Sequence, residues 1–472
     1  MRLLLVELRS LFAQRSVLVA LVLLIVTCAA ALASSTHRLR EEEALDATLR
    51  EDRQHTLDRL DRFIDQAPQT LAWFGDPRHP AFVALATNLT VARLEPGLLA
   101  PLAVGQRDVW PTAVRLGLPG SIMRELPDER FDRFENPHHQ ATGPLDLTFV
   151  IVFFIPLVVL VLAHDVVSAE RERGTAFLLE AADISVMWIV AARLLARLVV
   201  VAGVLGAVAL SGWALGARGA LGPVLAWWAV AVAYAAFWFA VCAFIQTLRA
   251  ASSTNAIMGG AAWLFFVLVW PIVTSLAAGS IAPIPSRIAY DLAKRDAKQR
   301  ADLSLAADTK AFYAAHPELG EHAYEAAKGL TYATWFVPML KARHSVEELR
   351  RQFDERLDAQ QAVERALATF SPALSCFEGL EEAAGQGAER HRRFLRQAEA
   401  FDDAYADSSL DETMRFHHLD KQGLRTVAAF TFIEEAPAVS GGRFATCLMK
   451  LLAPFALVFA IAWIRMRRRS WI

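Results

Sequence analysis

Of the 472 residues, 55% are hydrophobic and 21% are charged, and the mean hydropathy is +0.31. A disordered chain is excluded, because it needs low hydrophobicity and high net charge. A net charge of -2 excludes a strongly basic nucleic-acid binder, and four cysteines exclude a disulfide scaffold. The apolar residues fall in six blocks separated by long polar stretches. That is the pattern of an integral membrane protein with sizeable parts outside the bilayer.

The expected fold is mainly α: a polytopic membrane protein with six transmembrane helices and two extracytoplasmic, largely helical domains after spans one and five. Residues 1–15 form an amphipathic lead, read as an interfacial helix. The spans are expected at 16–33, 147–163, 186–215, 221–245, 256–277 and 447–464. A helix rises about 1.5 Å per residue, so ~20 apolar residues cross a ~30 Å hydrocarbon core. The first block also resembles a cleavable signal peptide around Ala31-Leu32-Ala33-Ser34. Its long apolar core and amphipathic lead favour a retained span. Arg193 and Arg197, near the start of the third block, are expected to reach the interface.

Basic residues set the orientation. Arg2, Arg9 and Arg15 precede the first span, Arg171 and Arg173 follow the second, and Arg465, Arg467, Arg468 and Arg469 follow the sixth. Arg249 lies between the fourth and fifth, and the short loop after the third has only Arg218. Both termini are therefore expected in the cytoplasm, with the basic tail 465–472 inside and stretches 34–145 and 279–442 outside.

The first polar stretch opens with Leu45, Leu49, Leu57, Leu60 and Phe63 at helical spacing, so the first span is expected to continue out of the membrane as helix. Over 35–145 there are 13 basic and 17 acidic residues, and every basic one is arginine. In the second stretch, Ser345 with Glu348 reads as a capping box that starts a helix, and another helix is expected over 387–405. The two stretches are expected to share one core. Cys28 and Cys242 lie within apolar blocks and Cys447 at a boundary, which leaves Cys376 as the external cysteine.

Enzyme motifs are absent. No stretch matches G-x-x-x-x-G-K-[ST], H-E-x-x-H, G-x-S-x-G or C-x-x-C. His138–His139 and His417–His418 are adjacent pairs, whose side chains diverge, so solvated histidines are the default over a metal site. Asn88-Leu89-Thr90 fits a glycosylation pattern that arises often by chance.

The informative segment is 164–185. A charged cluster, Glu170-Arg171-Glu172-Arg173, is interrupted by Gly174 and Thr175 and followed by apolar Phe177, Leu178 and Leu179. Asp183 and Ser185 supply a cap before the third block. This reads as a short helix at the membrane surface with its charges facing the cytoplasm, able to dock a soluble partner. An ordinary solvated loop is the alternative reading.

Ser168-Ala169-Glu170-Arg171-Glu172-Arg173-Gly174-Thr175, then Leu178-Leu179, resembles the S-x-E-R-E-x-G-T signature of ABC-2 type transporter permeases. The lead Val6-Glu7-Leu8-Arg9-Ser10-Leu11-Phe12 resembles that family's interfacial helix. The resemblance implies a bacterial exporter subunit in the cytoplasmic (inner) membrane. It implies a coupling helix seated in a separate ATPase subunit that carries the ATP and Mg, no cofactor bound by this chain, and a second permease, identical or paralogous. A narrower resemblance is to an uncharacterised branch with two large external domains. It rests on Pro101-Leu102-Ala103-Val104-Gly105-Gln106-Arg107-Asp108-Val109-Trp110-Pro111, Glu135-Asn136-Pro137, Ser371-Pro372-Ala373 and His391-Arg392-Arg393-Phe394. Ala383-Ala384-Gly385-Gln386 departs from that branch's usual L-A-G-T.

Pro156 and Pro271 are expected to kink or break spans two and five, and 271–285 is a candidate re-entrant element. The dense aromatics of blocks four and five (Trp227, Trp228, Tyr234, Phe237, Trp238, Phe239, Trp263, Phe265, Phe266, Trp270) read first as lipid-facing belts, and alternatively as the wall of a pathway. Two other classes stay open: a membrane receptor with external sensing domains, and an assembly factor without transport. The substrate is not legible.

Overall fold

The computed structural model describes residues 7, 11–66, 78, 91–108, 112–115, 145–175, 186–216, 221–284, 286–317, 332–414, 420–422 and 430–467. Among them are six helices long and apolar enough to cross a membrane: Arg15–Gln66, Leu147–Glu172, Trp188–Gly216, Leu221–Gln246, Ser252–Ile281 and Pro437–Arg467. The chain is a mainly α, polytopic membrane protein. The end of the bundle that carries Ser168–Thr175 is termed the near end, and the opposite end the far end.

Span one is the first part of α1 (Arg15–Gln66), a single helix of 52 residues. At 1.5 Å per residue it is roughly 80 Å long, more than twice the hydrocarbon thickness. Its second half therefore projects from the bundle, as the spacing of Leu49 and Leu60 requires; both are buried.

Span two is where the bundle is organised. A turn at Leu147–Phe149 leads into a π-helical turn, Val150–Phe154, before α2 (Ile155–Ala163) resumes with Pro156 in its first turn. Proline has no N–H, so the carbonyl four residues back, on Val152, loses its helical donor. In hydrocarbon an unsatisfied carbonyl costs several kcal/mol. The Tyr234 hydroxyl donates to Val152 O at 2.9 Å, and Trp263 Nε1 donates to Phe153 O at 3.1 Å. A short helix, α3 (Ser168–Glu172), follows at the near end.

Span three is α4 (Val186–Gly216) and span four is α5 (Leu221–Gln246). Span five consists of α6 (Ser252–Trp263), a second π-helical turn over Leu264–Val269, and α7 (Trp270–Ile281) with Pro271 in its first turn. The two prolines thus mark the two π-helical turns, where widening of the helix absorbs the proline ring. Residues 271–281 continue span five as helix, so this stretch is not re-entrant.

The aromatic belt reading fails for span four. Trp227, Tyr234, Phe237 and Trp238 are among the largest fully buried side chains, and Trp228 Nε1 donates to Ala202 O of span three at 2.8 Å. They form the centre of the bundle because spans two, three, five and six all pack on α5. On span five Phe265 is exposed, whereas Trp263 and Phe266 pack against the same buried cluster.

The second polar region contains α8 (Arg287–Leu303), α9 (Leu305–Ala315), α10 (Tyr332–Ala368), α11 (Pro372–Ala384) and α12 (Ala388–Met414), before span six, α13 (Pro437–Arg467). The helix expected to start at Ser345 runs straight through that residue. Glu348 pairs instead with Arg351 at 2.8 Å one turn on, a stabilising helical i,i+3 pair. The helix expected over 387–405 extends to Met414.

Helix α11 corrects the placement of this region. Ser371 caps its start by accepting from Leu374 N at 3.2 Å. Its end is a left-handed Gly385 (φ 70°), with Gly385 N donating to Glu382 O and Gln386 N to Glu381 O. One face, Ala373, Cys376, Leu380 and Ala384, joins the same buried cluster as the spans. A Cβ on Gly379 would lie 3.1 Å from Val230 of span four. Cys376 is therefore bundle core rather than an external residue. All four cysteines are buried and free.

The two polar regions share a core, as expected. Strands β1 (Val91–Arg93) and β2 (Ala113–Arg115) pair antiparallel, with Ala92 opposite Val114. Ala92 and Leu94 pack with Phe394 and Ala398 of α12, and Phe430 and Phe432 close over them. Leu99 N donates to Ala384 O at 3.1 Å, and a Cβ on Gly97 would sit 2.3 Å from Gly385 O, so only glycine fits there. Arg107 Nε donates to Glu42 of α1 at 3.1 Å. The Pro101–Asp108, Ser371-Pro372-Ala373 and His391–Phe394 stretches thus meet at the far end of the bundle. The departure Gln386 is buried there, against Gly105.

This packing leads to two expected outcomes. Tyr234→Phe leaves the Val152 carbonyl without its donor, so melting in detergent should show a loss of about 1–3 kcal/mol. An unchanged melting temperature would mean that carbonyl finds another donor. His391 is buried beside Phe394, and burial with Arg107 and Arg390 nearby holds its pKa down at about 4. An unfolded histidine binds its proton near pH 6.5. Between the two values the unfolded chain holds a proton the folded chain lacks, so stability is intact above about pH 6.5 and falls as pH drops towards 4. Melting curves of wild type and His391→Gln across this window should show a shallower loss in the variant. Equal slopes would remove His391 as the cause.

Candidate functional site

The charged segment at the near end is built from the end of span two outward. Gln246, the last residue of span four, donates through Nε2 to Ala163 O at 3.0 Å. Asn255 of span five donates to Gln246 Oε1 at 3.1 Å and to His164 O at 3.3 Å. These amides satisfy carbonyls that the helix end leaves without partners. They also tie spans two, four and five together just before the segment begins.

Each charged side chain of the segment's inner half then has a partner within the chain. Glu170 accepts from Arg193 Nη2 at 2.9 Å and from the Thr175 hydroxyl. Arg193 also donates from Nε to Glu7 at 3.1 Å and from Nη1 to Val166 O at 3.1 Å. One guanidinium of span three therefore joins the N-terminal lead, the turn after span two and α3. Arg171 donates to Ala250 O at 2.7 Å. Glu172 accepts from Ser252 N at 2.7 Å, and the Ser252 and Ser168 hydroxyls are 2.8 Å apart. Glu172 thus caps the N-terminus of α6 from another element, where its negative charge opposes the helix dipole.

The expectation that the whole charged face points to solvent is corrected by this geometry. Glu170 and Arg171 are partly buried and engaged inward, because the near end exposes carbonyls and a helix N-terminus that need partners. The exposed tip is Glu172, Arg173 and Gly174. Gly174 adopts a left-handed conformation (φ 71°), and a Cβ there would meet nothing within 4 Å. The tip is therefore a sharp turn with open space around it.

Arg193 and Arg197, expected to reach the interface, are both engaged within the bundle end. Arg193 is held in the network above. Arg197, one turn further along span three, is 6% exposed, with Asp165, Glu7, Arg193 and Cys242 in its electrostatic surroundings. Packing against spans two and four keeps both side chains within the bundle.

Phe177, Leu178 and Leu179, with Asp183 and Ser185, lie outside the described residues, as do His138, His139, His417 and His418. Among the described residues no group of three or more His, Cys, Asp and Glu is arranged to hold a metal. Sequence reasoning missed Gln246, Ala250, Ser252 and Asn255. The available signal was two amides flanking the short 247–251 connection, polar residues at the edges of otherwise apolar blocks.

Residues 287–433 match a family model described as a domain of unknown function, DUF3526. The match begins with α8 and ends just before span six, so it covers the second polar region. No curated protein and no solved structure matches the chain.

The network predicts a difference between neighbouring residues. Glu170→Ala removes one of the two carboxylates that hold the half-buried Arg193, leaving Glu7, and should cost about 1–2 kcal/mol. Arg173→Ala, at the exposed tip, should fall within about 0.5 kcal/mol of wild type. Melting of the purified variants in one detergent checks both, and a stable Glu170→Ala would show that Arg193 is held without it.

Proposed function

We propose that the chain is the membrane subunit of an ABC-2 type exporter, driven by ATP hydrolysis in a separate subunit that docks at the exposed tip around Arg173 and Gly174. The observation that carries the reading is the wiring of α3. It bonds span three through Arg193, whose guanidinium also holds Glu7 of the N-terminal lead, and span five through Ser252, and it continues from span two. An element held on so many sides transmits a displacement rather than absorbing it. The match of Ser168–Thr175 to the family's signature supports the same reading.

ATP binding drives a conformational change only by favouring one state through contact energy. The inward half of the segment, Glu170 and Arg171, serves as the joint to the spans. The outward half, with Glu172 shared between both roles, serves as the docking edge. Each exposed ion pair is worth only ~0–1 kcal/mol, so the shape of the tip carries the fit. ATP and Mg belong to the partner subunit. Six spans make half of a pathway, so a second permease, identical or paralogous, completes it. In this reading the near end and both termini face the bacterial cytoplasm, and the far end lies outside the inner membrane.

The test is co-purification in mild detergent, with mass spectrometry and an ATPase assay on the eluate. Wild type should bring down a stoichiometric Walker-containing subunit. Arg173→Glu with Gly174→Asn should lose most of it at an unchanged melting temperature, because asparagine tolerates the left-handed conformation. Recovery of the chain without any ATPase, or full ATPase recovery with the double variant, would defeat the docking assignment. The first outcome would favour a receptor or an assembly factor.

A further inference from the structure

The two polar regions meet at a second place, distant from the near end. A cavity of about 580 Å³ opens between the projecting part of α1, the β1 strand and the 430–434 segment before span six. Four arginines, Arg50, Arg53, Arg93 and Arg390, line it, against three carboxylates, Asp46, Glu95 and Glu434. Two of the carboxylates are already engaged. Arg93 donates to Asp46 O at 3.2 Å and its guanidinium lies 3.5 Å from the Asp46 carboxylate. Arg390 donates to Glu434 at 2.9 Å and lies over the Phe432 ring, 5.4 Å from its centroid. Among the described residues that line the cavity, this leaves one further carboxylate, Glu95, for Arg50 and Arg53; Arg50 and Glu95 are exposed and Arg53 is half-buried.

The cations also crowd one another. Burial and the positive charges of Arg50 and Arg53 hold the Arg93 pKa below its ordinary value, against the pull of Asp46. Arg53 Nε is buried and has no hydrogen-bond partner among the described residues. A buried N–H left without an acceptor is costly, and so is concentrated like charge. An anion carrying several acceptor oxygens, bound in the cavity, offsets the concentrated positive charge. Guanidinium groups suit it, since their planar fork matches carboxylate and phosphate oxygens. All 13 basic residues of the first polar stretch are arginines. Phe430 and Phe432 supply an apolar wall for the rest of a small molecule, and the volume is in the usual range for such ligands.

We infer that this cavity binds a water-soluble small molecule bearing a phosphate or carboxylate group, held by Arg50 and Arg53 between the two polar regions. A phospholipid in the bilayer does not reach it. The apolar part of α1 ends near residue 33, and Asp46 to Arg53 lie 13 to 20 residues further along one straight helix, or roughly 20–30 Å beyond. The headgroup layer extends only about 5–8 Å from the hydrocarbon. The ligand would bridge α1 to the segment before span six and so bind only when the two regions are docked. The inference does not rest on the transport reading, since a receptor would use the same cavity.

Isothermal titration of the full chain in detergent tests it, with inorganic phosphate, glycerol phosphate and citrate as separate probes, at matched ionic strength in chloride. At least one probe should bind with a Kd below about 1 mM. The probe that binds names the oxyanion. Arg50→Gln with Arg53→Gln should weaken that binding about tenfold or more, with an unchanged or raised melting temperature in the absence of the probe. Arg50→Lys with Arg53→Lys should fall between the two, because charge is kept and the fork is lost. No binding of any probe above the chloride control overturns the assignment. So does equal affinity in wild type and the glutamine variant.

Discussion

The bundle depends on one constraint: a polar group inside hydrocarbon must find its partner within the protein. Pro156 creates the sharpest case, since it leaves the Val152 carbonyl without a helical donor. The answer is Tyr234, at the middle of span four, with Trp263 of span five serving the next carbonyl. These two bonds fix which spans lie beside the break. They explain why span four, with its aromatic residues, sits at the centre instead of facing lipid. The same logic recurs at the near end. Gln246, Asn255 and Arg193 cover carbonyls and carboxylates where the spans end, and the charged segment is locked to the bundle as a consequence.

Such locking gives the near end a mechanical character. Charges that looked like a docking surface divide into an inner set that binds the spans and an outer tip of a few residues. In the proposed coupling role both halves are needed, because a well-fitted partner on a loosely attached loop would move only the loop. At the far end the arrangement is similar in kind. Helix α11 leaves the polar region to pack on spans four and six, and the Leu99–Ala384 bond joins it to the first polar region. Motion of the spans is thereby linked to the pair of regions that enclose the arginine-lined cavity.

Several features were legible in the residues alone. Six apolar blocks became six spans, the helically spaced leucines after the first block became a continuation of its helix, and both prolines mark helix irregularities. The common core of the two polar stretches was also anticipated. Ser345 shows where local pattern misleads. Its capping box is real as a pattern, but the helix has already started at Tyr332 and passes through Ser345, with Glu348 paired to Arg351 one turn on. Cys376 and Arg197 show the limit of hydropathy. Each sits in a polar or boundary sequence context, and each is buried by neighbours distant in the chain.

Hydrophobic length and period depend on consecutive residues, so the sequence by itself determined that this is a six-span α protein and where its polar parts begin. It also carried the Ser168–Thr175 pattern, because a short motif is contiguous. Partnership across spans is a property of lateral neighbours, and no local pattern encodes it. Only the tertiary structure decided that Tyr234 serves Val152, that Glu170 turns inward to Arg193, that α11 belongs to the bundle, and that four arginines from three elements face one cavity. The physical reason is the same in each case. Desolvation favours a specific partner for a buried polar group, and which partner is within reach is set by the packing of helices far apart in the chain.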